Sequence, residues 1–163
     1  MRRYAESTSV AVSKSRGEID HLLRAWGAKG IQWSDDFEGD SVTLRFVWVH
    51  DGTDYLARFT LGLPAHADLE IAAIDRRTRR TSQRKLEVLM AARGRREHRL
   101  LLFWLKAAMH AVDAGLVTVE TLFLPFLEGK DGRTVAEVAV PQLAQLARGS
   151  AVKLLGAPEV HRG

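Results

Sequence analysis

No cysteine occurs in the 163 residues. That absence removes disulfides, thiolate metal sites and thiol chemistry together, and it suits a reducing compartment. Long apolar runs are missing as well: none reaches the roughly 20 residues that span a bilayer as a helix. The opening stretch MRRYAESTSVAVSKSRGE has two leading arginines but no continuous apolar segment, so it does not read as a signal peptide. A cytoplasmic protein with no membrane partner is expected. The six histidines include no His-x-x-x-His pair, which with the missing cysteines leaves no standard zinc pattern. A Walker A loop, a Gly-x-Gly-x-x-Gly fingerprint and a Gly-x-Ser-x-Gly elbow are absent too. No cofactor and no metal are expected. Two acidic features carry only a weak metal reading. Asp35, Asp36 and Glu38 sit on a turn, where solvation alone explains acids, and Glu128 with Lys130 lacks an upstream acid on a strand.

What is present is a charge asymmetry. The chain is 46% hydrophobic and 27% charged, as in ordinary globular proteins. Between Arg76 and Arg99 lie ten bases, nine of them arginine, and two acids, giving +8; the remaining 14 bases and 18 acids give −4. An acidic body carrying one basic segment suggests a polyanionic partner.

The pattern predicts an α+β fold. It consists of an N-terminal helix, a three-stranded antiparallel meander, a long helix packed on the sheet and a short C-terminal helical segment. Residues 1–150 form one domain and 151–163 a tail. Ser15 and Glu18 have capping-box spacing, and Ile19, Leu22, Leu23 and Trp26 form one helical stripe, so helix 1 is placed at 16–26, with Gly27 as its stop. IQWSDDF is the first strand. Asp51-Gly52 is a two-residue hairpin turn, which sets Trp48 opposite Tyr55, Phe46 opposite Ala57 and Leu44 opposite Phe59 on the core face. The same register puts Arg45 across from Arg58. Like charges so placed repel, and either a solvated, splayed pair or an anion laid across the sheet accounts for them. LEIAAI (69–74) is a candidate fourth strand. The long helix starts near Thr81 or Ser82 and runs to Ala114 with Gly115 as its stop, either unbroken or jointed at Gly94. LVTVETLFLPFL is a strand or a short buried helix. Asp131-Gly132 makes a turn, Thr134 and Glu137 repeat the capping-box spacing before a helix from Val135, and Pro141 kinks or splits that helix. Lys106, His110 and Asp113 share a face of the long helix, as a buried polar site or as the exposed stripe of an amphipathic helix with His110 paired to Asp113.

The order helix, three-strand meander, basic-started helix resembles two nucleic-acid folds. One is the double-stranded-RNA-binding domain; the other is the β-β-β-α core of the single-strand annealing proteins. Residues 100–143, with a lysine inside an apolar helix, FLPF, DGRTV and a following proline, are similar to a family of small uncharacterised proteins of bacteriophages and other mobile elements. That likeness implies a context and no site residues.

These features point to a nucleic-acid-binding protein that catalyses no reaction, contacting DNA or RNA through phosphates, with binding or annealing of single strands as a homo-oligomer as the expected form. Arg76, Arg77, Arg79, Arg80, Arg84 and Lys85 are the main candidate contacts. Arg93, Arg95, Arg96 and Arg99 are secondary, and Arg45 and Arg58 could extend the track. The alternative is a protein-interaction or assembly module using the apolar helix and FLPFL. A small enzyme whose site only folding assembles is a third.

Overall fold

The computed structural model describes residues 8–36, 38–62, 73–74 and 82–149, with side chains to 143. The elements follow the expected α+β order: α1 (Val12–Ala25), β1 (Gly30–Asp36), β2 (Ser41–His50), β3 (Thr53–Gly62), α2 (Gln83–Asp113), α3 (Val119–Phe123), a 3-10 turn (Leu124–Phe126) and α4 (Val135–Gly149). The sheet is antiparallel in the order β1-β2-β3.

The hairpin forms as its sequence dictates. Asp51 and Gly52 both take positive φ, 47° and 74°, as a two-residue turn of this twist requires. His50 therefore pairs with Thr53, and Trp48–Tyr55, Phe46–Ala57 and Leu44–Phe59 are opposite one another. Strand side chains alternate between faces, so Val42, Leu44, Phe46 and Trp48 are all buried while their neighbours are half-exposed. The turn from β1 to β2 is held by Asp36, whose Oδ1 accepts the N–H groups of Glu38 at 3.1 Å and Gly39 at 2.9 Å.

α1 and α2 lie on the apolar face of the sheet and supply Ile19, Leu23, Leu101, Leu102 and Leu105 to the core. α2 is one unbroken helix of 31 residues, capped by Ser82, whose Oγ accepts the Lys85 N–H. Gly94 does not joint it. A Cβ there would lie 3.7 Å from Val12 Cγ2, so α1 passes over this point at ordinary contact distance. Gly115 ends the helix at φ 70°, with Leu116 N donating to Ala111 O at 2.9 Å, a glycine-dependent C-terminal closure.

One expectation needs correction and two open alternatives are resolved. α1 starts at Val12 rather than 16, and Ser15 is not its cap. The Ser15 N–H already bonds Ala11 O within the helix, and its Oγ is buried without a partner; Val12 lying against α2 extends the helix past the local capping signal. LVTVETLFLPFL forms no strand: Thr118 caps a short helix and Pro125 sits in the 3-10 turn. Pro141 does not split α4, since the helix runs on to Gly149. The carbonyl that its missing N–H would have satisfied, Glu137 O, instead accepts from the Arg133 guanidinium at 3.4 Å. Of LEIAAI, residues 69–72 lie outside the described residues; Ala73 is buried and Ile74 makes an isolated bridge.

Phe123 closes the core. Its ring centroid lies 5.5–6.1 Å from those of Trp26, Phe46, Trp48, Phe59 and Trp104, in the range of favourable tilted and edge-to-face pairs. Beyond it the chain runs along the free side of β3. Leu127 bridges Ala57, and Glu128 N donates to Leu56 O at 2.8 Å, which covers an otherwise unpaired strand edge. Thr134 and Glu137 then form the reciprocal capping box read from their spacing, with Thr134 N to Glu137 Oε2 at 2.8 Å and Glu137 N to Thr134 Oγ1 at 3.3 Å.

Candidate nucleic-acid interface

The fold divides the basic residues by what surrounds them. Ser82 sits at φ −85°, ψ 109° and caps α2. Arg84 and Lys85 follow in the first turn, exposed and with no side-chain partner among the described residues. No acid stands in that turn. Unpaired N–H groups and the positive end of the helix dipole gather there, so two cations are locally unfavourable and an anion is favoured. Arg76, Arg77, Arg79 and Arg80 lie outside the described residues.

Farther along α2 the cations have internal work. Arg93 Nε lies 2.9 Å from Glu97 Oε1 one turn on, although the Nε–H is not aligned on it as a hydrogen bond. Arg95 donates to Thr8 O at 3.3 Å. Arg99 pairs with Glu18 of α1 at 2.9 Å and stands over the Phe103 ring at 5.0 Å. Arg96 is half-buried, with its Nε unpartnered. These contacts fasten α1 and the segment before it to α2.

Arg45 and Arg58 stand opposite each other on the sheet as expected, and an anion does lie across them. It is the protein's own. Glu128 accepts from Arg45 Nε at 2.8 Å and Nη2 at 3.3 Å, and its Oε2 is 3.8 Å from Arg58 Nε, too far for a hydrogen bond. Arg58 turns its Nη2 to Glu137. Glu137 is held below the usual carboxylate range by the Thr134 N–H first and by Arg58 beside it. The pair is thus matched by two carboxylates from the segment that closes the β3 edge.

The acidic stretch is likewise occupied. Asp35 takes both arms of the Arg16 guanidinium, with Nη1 to Oδ2 at 3.1 Å, and Asp36 caps its turn. Arg16 also donates Nε to His98 Nε2 at 3.0 Å and lies over Trp33 at 4.8 Å. His98 is 2% exposed, and its Nδ1 is 2.8 Å from Gly94 O. With Nε2 accepting, Nδ1 must carry the proton, so the imidazole is neutral. Burial is the main reason its pKa falls below the ordinary value, and the Arg16 charge adds to it. Asp35 is held below its ordinary value chiefly by the Arg16 hydrogen bond. This network joins α1, β1 and α2, and sequence reasoning did not find it. One signal was available: Asp35 shares strand parity with Ile31 and Trp33, which face the core, and an acid at such a position needs a cation.

Lys106 is half-buried and His110 and Asp113 are exposed. They line a groove between α1 and α2, with no ion pair between His110 and Asp113. Compared with models of known families, with curated proteins and with solved structures, the chain matches none.

Proposed function

We propose that this chain binds nucleic acid through its phosphates and catalyses no reaction, with the start of α2 as the centre of the contact surface. The carrying observation is the contrast along one helix. Among the described residues, the Arg84 and Lys85 side chains are exposed and unpartnered at its N-terminus, while Arg93 and Arg99 are matched by carboxylates. The four arginines 76, 77, 79 and 80 precede that turn in the sequence and complete the cationic track in this reading. Arg45 and Arg58 leave it, because Glu128 and Glu137 already neutralise them. Single strands of DNA or RNA are the favoured partners, paired or protected by a homo-oligomer, as in the mobile-element setting that residues 100–143 resemble.

Binding measured across salt concentrations tests this. The logarithm of affinity should fall linearly with the logarithm of salt concentration, with a slope set by the phosphates contacted. Affinity unchanged between low and high salt, or no binding at low salt, defeats the proposal.

An assembly role has one observation in its favour. Val138, Val140 and Leu143 of α4 and Leu124 beside it are 39–60% exposed, whereas Leu101, Leu102, Leu105, Ala108 and Met109 of α2 are buried in the core. If the purified chain sediments as an oligomer that Leu143→Asp dissociates, and binds no nucleic acid, this second reading replaces the first.

A further inference from the structure

The groove between α1 and α2 has the form of a ligand site. One wall carries Lys14, Gly17, His21 and Ala25 at helical spacing, the other Lys106, and Leu22 lies between; the space is about 540 Å³. It continues past Leu22 and Lys106 into a smaller space of about 200 Å³ that reaches Met109 and His110. These volumes together fall in the range of small-molecule pockets.

Two independent features point to an occupant. The first is Gly17, in the middle of α1, where it costs about 1 kcal/mol relative to alanine. A Cβ added there meets nothing within 4 Å, so no neighbouring atom requires a glycine. What the missing side chain leaves is room in the groove. The second is charge. Lys14, His21 and Lys106 have no interaction partner among the described residues. Of the two acids in the lining, Glu18 is drawn off by Arg99 at 2.9 Å, and Asp113 lines only the smaller space. The larger space therefore presents unpaired ammonium groups beside the apolar side chains of Leu22 and Ala25.

We propose that this groove binds a small amphiphilic carboxylate, its head between Lys14, His21 and Lys106 and its apolar body along Leu22 and Met109. Ammonium groups act as point charges and suit a single carboxylate; a phosphate-specific site would more naturally use the planar fork of arginine, and none lines the groove. The site is separate from the α2 start, so it stands whether or not the chain binds nucleic acid.

Calorimetric titration of the full chain with decanoate, below its micellar concentration, tests it, with decanol and inorganic phosphate as controls. Saturable one-to-one binding of decanoate, and much weaker binding of both controls, is expected. Gly17→Leu puts a branched side chain into the groove from a position whose Cβ meets nothing within 4 Å, and should weaken decanoate by about tenfold or more, with an unchanged or raised Tm. Lys106→Glu should weaken it comparably. Failure of decanoate to bind by about 1 mM, or unaltered binding in either variant, overturns the proposal. Displacement of decanoate by a single-stranded oligonucleotide also overturns it, since the groove would then belong to a nucleic-acid track.

Discussion

Phe123 touches five other rings and is fully buried. Nothing around it can collapse into its space without breaking another aromatic pair. Phe123→Ala should therefore cost about 3–5 kcal/mol, as large core aromatics do, and Trp48→Ala, at 4% exposure, the same. Urea melts measure both. A loss under about 1 kcal/mol at Trp48 would contradict the burial of that sheet face. Gly94 predicts the opposite sign. It lies inside a continuous helix, its missing Cβ would meet only Val12 Cγ2 at 3.7 Å, and its carbonyl, which holds His98, is common to any residue. Gly94→Ala should thus raise stability by up to about 1 kcal/mol; a loss would mean that the approach of α1 at this point tolerates no methyl group.

Elements were legible where the signal was local. The Asp51-Gly52 turn fixed the hairpin register through one backbone rule, and the core face followed from parity. The Thr134–Glu137 box formed because both partners lie within one turn. Ser15–Glu18 has the same spacing and failed, because a distant contact, Val12 over Gly94, set the start of α1. The partners of Arg45, Arg58 and Asp35 were illegible for the same reason: Glu128, Glu137 and Arg16 are brought to them only by tertiary packing. At the start of α2, Arg84 and Lys85 are exposed at the end of the helix where its dipole disfavours cations. The two basic clusters of α2 should accordingly behave differently. Arg84→Gln with Lys85→Gln should weaken nucleic-acid binding and leave stability equal or slightly higher, since unfavourable cations leave the helix N-terminus. Arg95→Gln with Arg99→Gln should lower the melting temperature, because contacts to Thr8 and Glu18 are lost, and should reduce binding less. Paired thermal melts and binding titrations decide; equal effects on binding would erase the distinction.

For the molecule as a whole, the Arg16–His98–Asp35 network sets a dependence on pH. The folded state holds His98 below its ordinary 6.5, so as pH falls through that value the unfolded chain takes up the proton first and stability declines. This contribution is fully present above about 6.5 and is lost in acid. Asp35, held below its ordinary 3.8, adds a second decline at lower pH, also in the acid direction. Urea midpoints followed from pH 8 to pH 5 should drop in the wild type and stay flatter in His98→Gln. A flat wild-type profile would mean that His98 accepts a proton in the folded state at no cost.

The side-chain bonds that fasten the layers share a property along the chain. Arg16–His98, Arg99–Glu18, Arg45–Glu128 and Arg58–Glu137 join residues 82, 81, 83 and 79 positions apart. The hairpin closes through a two-residue turn, but each of these clasps must wait for a long loop to close, and loop closure is an entropic cost met before any contact rewards it. They belong late on the folding route, after the transition state. Glu18→Gln and Glu128→Gln should then speed unfolding while leaving the folding limb of a chevron plot nearly unmoved. Slower folding in either variant would place its clasp in the nucleus. A protein assembled in this order holds its native state by late, long-range fastenings, so its resistance to unfolding can be tuned at the acids of its clasps without changing how quickly it folds.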